Sequence, residues 1–297
     1  MPRPLVPALL LASLSGAEAT AEADGPDHFR LRPIEGAFLP LREAPEADAA
    51  PSGGVPAGAD GLANLGCVGG PSFADWRVMD EAERAAATAT RWCRVARFGV
   101  EGWARADRLA EGSPPVAMEV SFDCAAARST AEQLVCSDAD LAALDRELAR
   151  LYALAIDDTE GEGRRALRAV QRGWVKGRDD CWKGADPAEC VADAYALRLH
   201  EIRRGFAASR AAAGPSEGPY PYACEGLDAV VSAVFVRAGT PRVSLLWRGN
   251  AMSMPLVPAG SGAKYAEDGA AFFTKGDEAI LSLDGGADRA CRRDGMD

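Results

Sequence analysis

The chain has 297 residues, of which 48% are hydrophobic, 26% charged and 7% aromatic, and its formal net charge is −11. That length holds two or three small domains. The acidic balance argues against a nucleic-acid or anionic-membrane partner and favours a basic one.

The first residues, 1–19, read as an export leader. Arg3 precedes an apolar run from Leu5 to Leu14, followed by Ala17-Glu18-Ala19, a small-x-small cleavage pattern. The run is too short to span a bilayer. A lipid-anchored protein needs a cysteine at the cleavage point, whereas the first cysteine here is Cys67. The expectation is a periplasmic or secreted chain without a membrane anchor. In that setting eight cysteines argue for disulfides. Eight thiols allow many pairings, yet these fall into sequential couples inside separate segments: Cys67 with Cys93, Cys124 with Cys136, Cys181 with Cys190, and Cys224 with Cys291. No CxxC knuckle occurs, and His28 and His200 are the only histidines. A zinc site is therefore not expected, nor is any cofactor.

Residues 28–112 carry short β-like runs, Phe29 to Ile34, Gly36 to Leu41, Trp92 to Phe98 and Gly102 to Leu109, broken by Pro45, Gly53-Gly54, Pro56 and Gly69-Gly70-Pro71. This is the pattern of a small β-barrel. Leu39-Pro40-Leu41-Arg42-Glu43-Ala44-Pro45, Trp92-Cys93-Arg94-Val95 and Glu101-Gly102-Trp103 resemble a bacterial Src-homology-3-like (SH3-like) domain, with an Ala-rich insertion at 71–90 where that fold has a tight turn. The resemblance implies a second partner class, cell-wall peptide or glycan (peptidoglycan), met by aromatics such as Trp76, Trp92 and Trp103.

Over 119–205 the period changes. Leu141, Leu144, Leu148, Leu151 and Leu154 recur at steps of three and four, as do Leu167, Val170 and Trp174, and then Val191, Tyr195, Leu199 and Ile202. These are amphipathic helices, with Ser137 or Asp138 able to cap the first and Gly161 to Gly163 able to end it. Two cysteine couples would staple a short helical bundle with a thin core. Ser121-Phe122-Asp123-Cys124, Leu144-Asp145, Gln171-Arg172, Trp174 and Arg178-Asp179, with the cysteines, resemble the LprI-type lysozyme inhibitor domain. The dense charges of this segment are read as salt bridges and solvated faces, so no site is assigned there.

Residues 206–221, rich in Ala, Gly, Pro and Ser, read as a flexible linker that fixes little geometry between modules. From 222 to 297 alternation takes over, with Val230 to Val236, Val243 to Trp247, Ala251 to Val257, Ala271 to Phe273 and Ala279 to Leu283, predicting a small antiparallel β-barrel. Between Cys224 and Cys291 stand Ser261-Gly262-Ala263-Lys264-Tyr265 and Phe273-Thr274-Lys275-Gly276-Asp277-Glu278-Ala279. A hydroxyl and an ammonium on neighbouring turns suit a pair of carboxylates, which is what a glycosidase cleft contains. Spacing and wording resemble the MliC/PliC family, inhibitors of c-type lysozyme. The resemblance implies that Ser261 and Lys275 contact the enzyme's catalytic carboxylates, with Gly262 and Gly276 shaping their turns and Tyr265 rimming the contact. Phe272 or Phe273 stands where that family often carries Trp.

Catalysis is not expected. No HExxH or Walker loop occurs, and no Asp/Glu pair sits in an aromatic setting. The alternative from another class is an envelope protein that binds peptidoglycan through the first domain without inhibiting an enzyme.

Overall fold

The computed structural model describes residues 25–116, 118–283 and 286–294; the expected leader, 1–19, lies outside them. The N-terminal unit contains β1 (His28–Leu31), β2 (Phe38–Arg42), β3 (Pro51–Pro56), β4 (Leu62–Val68), α1 (Phe73–Val78), α2 (Glu81–Thr90), β5 (Trp92–Arg97), β6 (Val100–Arg105) and β7 (Leu109–Glu111). Its strands pair antiparallel in the order β3-β2-β6-β5-β4-β1-β7. The ladder is an open antiparallel sheet, with β3 and β7 as edges, where the turn pattern predicts a small β-barrel. Leu41, Val55, Leu62 and Val95 are fully buried on its inner face. The Ala-rich insertion forms α1 and α2, the second started by a capping box between Asp80 and Glu83.

The helical unit is built from α3 (Thr130–Ser137), α4 (Ala139–Asp157), α5 (Gly161–Asp179), α6 (Pro187–Gly205) and α7 (Ala207–Ala211). Asp138 caps α4 by accepting from the amides of Asp140 and Leu141, and Gly161 turns the chain at φ 53° after α4 ends. The leucines of the predicted stripe, Leu141, Leu144, Leu148 and Leu151, are buried against Val191, Tyr195, Leu199 and Ile202 of α6. Among the buried polar groups, the Tyr195 hydroxyl donates to Asp145 at 2.9 Å and accepts from Arg178 at 2.8 Å.

The C-terminal unit is a closed eight-stranded antiparallel barrel of β8 (Ser216–Cys224), β9 (Val230–Val236), β10 (Arg242–Trp247), β11 (Asn250–Val257), β12 (Ala263–Glu267), β13 (Ala270–Lys275), β14 (Glu278–Ser282) and β15 (Arg289–Arg293). Closure removes every sheet edge. Its interior holds Tyr222, Val243, Leu245, Phe272 and Leu281. The four disulfides join Cys67 to Cys93, Cys124 to Cys136, Cys181 to Cys190 and Cys224 to Cys291. Cys67–Cys93 and Cys224–Cys291 link residues directly opposite on adjacent strands.

The segment 206–221 is not a flexible linker. Residues 207–211 form α7, β8 already begins at Ser216, and Ser209 and Ser216 are buried. The Arg203 guanidinium, 1% exposed at the end of α6, donates to Ser216 Oγ at 2.8 Å and to the carbonyls of Ala212 and Arg210 at 2.9 and 3.1 Å. Ser216 Oγ in turn donates to Glu147 of α4, itself paired with Arg150 at 2.8 Å. Small residues leave the backbone free of its own side chains, and a neighbouring helix supplies the arginine that ties it down.

The helical unit and the barrel consequently share a core. Along β9, Val231, Ala233 and Phe235 point into the barrel, while Val234 and Val236 belong to the helical cluster. A strand buried on both faces reads as a continuous apolar run, as Ala233 to Val236 does. Each buried valine contributes about 1.5–3 kcal/mol. The N-terminal sheet meets the helices through Gln133 Nε2 to the Gly54 carbonyl, 2.9 Å, Arg128 Nη1 to the Gly99 carbonyl, 2.9 Å, and an edge-to-face Phe38–Trp182 pair at 5.7 Å.

Candidate functional site

Barrel topology brings the loop 258–262, between β11 and β12, next to the turn Gly276–Asp277, between β13 and β14. The two are held together by pairing of Ala263 with Thr274 and by Lys275 facing Glu278. Gly262 has φ 69° and Gly276 φ 63°, left-handed conformations that favour glycine. At Gly262 the fit is also tight: a Cβ would lie 2.5 Å from the Thr274 carbonyl oxygen and 3.0 Å from the Phe273 ring. Absence of that Cβ lets the Ser261 bend lie against the strand that ends in Lys275. Ser261, Gly262, Lys275 and Gly276 are all exposed. Neither the Ser261 hydroxyl nor the Lys275 ammonium has a hydrogen bond or ion pair among the described residues, and both residues are exposed.

Tyr265 is not part of this surface. It is 8% exposed inside the barrel, with its ring 5.7 Å from Phe235, and burial pushes its phenol above the ordinary tyrosine range. Alternation along β12 accounts for this: exposed Lys264 points out and Tyr265 points in. The same logic separates the two phenylalanines. Phe272 is fully buried, edge-on to Tyr222 at 5.3 Å, while half-buried Phe273 packs outside the barrel beside Gly262. A groove of about 450 Å³ runs from there along the outer wall, lined by Phe273, Lys275, Glu278, Ile280 and Arg292. Ile280 is 41% exposed in it, an apolar contact that the motif alone did not reveal.

A second polar constellation lies where α6 meets β10, β11 and β12. Arg242, 2% exposed, binds Glu189, Asp193 at 2.6 Å and Ser253 Oγ at 2.8 Å. Glu189, Asp193 and Glu267 bring carboxylate oxygens within 4.8 Å of one another, the group among the described residues close enough to hold an ion. The guanidinium already supplies the cation there. Burial, with Asp193 and Glu189 beside it, pushes the Glu267 carboxyl up to about 7. Nearby His200 is fully buried, Nδ1 against the Ser244 carbonyl at 3.0 Å and Nε2 against Ser232 Oγ at 2.8 Å; desolvation lowers its pKa to about 4, so it is neutral. These groups glue the barrel to the helices. On the N-terminal unit, half-buried Trp92 lines a cleft with Leu39, Pro40, Arg42, Arg105 and Arg108, and Trp76 lies under Arg84 at 5.6 Å. Trp103 is half-buried in β6.

Residues 222–290 match the family described as membrane-bound lysozyme-inhibitor of c-type lysozyme, MliC, and residues 124–211 match lysozyme inhibitor LprI. Lipoprotein LprI of Mycobacterium bovis and lipoprotein LprI of Mycobacterium tuberculosis are each 31% identical to the chain over 176 residues, 58% of this chain and 83% of the relative. The chain belongs to the LprI family. The aligned length exceeds the 124–211 region, so similarity to LprI continues into a flanking unit. No solved structure matches. The family matches support a lysozyme-inhibitor function, and the disulfides fit an extracytoplasmic location for this LprI relative. No helix among the described residues is long and apolar enough to cross a membrane.

Proposed function

We propose that the protein inhibits c-type lysozyme by occluding its catalytic cleft with the barrel end that carries Ser261 and Lys275. A c-type lysozyme works with one protonated and one ionised carboxyl flanking the scissile bond. An ammonium entering between them makes charge-assisted hydrogen bonds in a partly desolvated site. A serine hydroxyl serves either form, donating to the carboxylate or accepting from the acid. Gly262 and Gly276 let the enzyme approach the backbone, and Phe273 adds apolar contact beside them. The observation that carries this reading is the joint exposure of Ser261 and Lys275, unpaired, on adjacent turns. The action takes place in the periplasm, and the net charge of −11 draws the chain toward a basic enzyme.

Titrating the intact chain against c-, g- and i-type lysozymes in a wall-lysis assay tests it. Saturable inhibition of the c-type enzyme is expected; unchanged lysis at a large molar excess refutes it. A second role, retention on peptidoglycan by the SH3-like N-terminal unit, is favoured by the Trp92 cleft and its arginines. Sedimentation of the chain with purified peptidoglycan checks that role, and recovery in the supernatant counts against it.

A further inference from the structure

Helix α5 carries a cation followed by a small residue four times at helical spacing: Arg165-Ala166, Arg168-Ala169, Arg172-Gly173 and Lys176-Gly177. Steps of three and four place the cations in one row and the small residues in a parallel row beside it. All eight residues are exposed, and none of the four cations has an ion pair or side-chain hydrogen bond among the described residues. The glycines are informative. Each costs about 1 kcal/mol against alanine in a helix, yet a Cβ at Gly173 or Gly177 would meet nothing within 4 Å. Neither has a left-handed φ. Nothing among the described residues therefore asks for glycine there, whereas close approach by an external helix does.

The complement stands in the same chain. Helix α2 has no buried residue, and Ala82, Ala85 and Ala86 form an exposed seam along it. Asp80, Glu81 and Glu83 crowd its first turn, and Val78, 85% exposed, stands just before it. One helix thus offers a small seam with a cationic flank, the other a small seam with an anionic end and a bare valine. Val170 of α5, 55% exposed, gives that valine an apolar counterpart.

We propose that α5 docks α2 of a second copy of this chain, with the alanine and glycine rows in contact and the α5 cations against the acidic first turn of α2. In a two-fold dimer the contact is made twice. At lengths of 10 and 19 residues both helices are long enough to pack along several turns.

Sedimentation velocity on the intact chain at low ionic strength tests the proposal. Wild type self-associates, and added salt weakens it. Arg168→Glu/Arg172→Glu and, separately, Glu81→Lys, which leaves the Asp80–Glu83 capping box intact, each weaken association by about ten-fold or more. Mixing the two variants restores it, because each then meets a charge-matched helix, and that recovery also shows both are folded. A wild type that stays monomeric at tens of micromolar, variants that associate like the parent, or a mixture that stays apart would each overturn it.

Discussion

Replacing Arg242 by Met isolates what joins the barrel to the helices. The side chain is buried on β10 and bonds Glu189 and Asp193 from α6 and Ser253 from β11. Methionine fills most of the volume but leaves three close carboxyls without their cation. Removing one partner of a buried pair costs about 3–5 kcal/mol. Here the two carboxylate side chains remain 34% and 31% exposed, and water offsets part of that loss, so about 2–3 kcal/mol is expected at neutral pH. The deficit has a definite pH dependence. Burial raises the pKa of Glu267 and of Asp193 in the fold. A group raised on folding contributes stability that is complete below its unfolded pKa and is lost as pH rises through its folded value. For Glu267 that window runs from the ordinary 4.5 to about 7. The cost of Arg242→Met is therefore greatest at about pH 8 and shrinks towards pH 5, where protons take over from the guanidinium. Glu267→Gln in the Met background recovers part of the loss at pH 8. Urea denaturation of parent and variants at the two pH values measures this. A deficit below about 0.5 kcal/mol at pH 8, or an equal deficit at both, would refute the interface described here.

The remaining expectations are simpler. Because desolvation lowers its pKa to about 4, His200 contributes stability that is present above its ordinary value near 6.5 and is lost as pH falls between the two; NMR of the ring should show it neutral at about pH 5.5, and titration near 6.5 would contradict the burial. Arg203→Ala should release the 206–215 segment, so thermolysin cuts there in the variant and not in the parent; equal resistance would show that the segment does not depend on the guanidinium. Gly262→Ala forces a strained φ and a contact with the Thr274 carbonyl, and displacing Ser261 in this way should weaken lysozyme inhibition with the fold kept. Unchanged inhibition would mean that the bend is not in the contact.

Much of this architecture is legible in the sequence where one period dominates. The leucine steps from Leu141 to Leu154 mark α4 because a helix buries one stripe, and the alternating runs after Val230 mark barrel strands because a pleat buries one face. Sequential cysteine couples are informative because each lies within one compact unit. The segment 206–221 defeats composition: its order comes from Arg203 and Glu147, which local sequence does not reveal. Tyr265 sits in the same phrase as Ser261, but strand parity turns it inward, and a motif read as a block hides that. The open ladder of the first unit depends on which strand ends meet, a tertiary property. Arg242 and His200 look like ordinary surface and helix residues until barrel and helices are docked.

The measurement that bears most directly on lysozyme occlusion is the inhibition constant of the intact Lys275→Ala variant against a c-type lysozyme. Lys275 is exposed and unpaired, so its loss should leave the circular dichroism and thermal midpoint of the chain unchanged. If its ammonium fills the space between the catalytic carboxyls, inhibition should weaken by about 2–4 kcal/mol, roughly 30- to 1,000-fold. A variant that inhibits as strongly as the parent would contradict it.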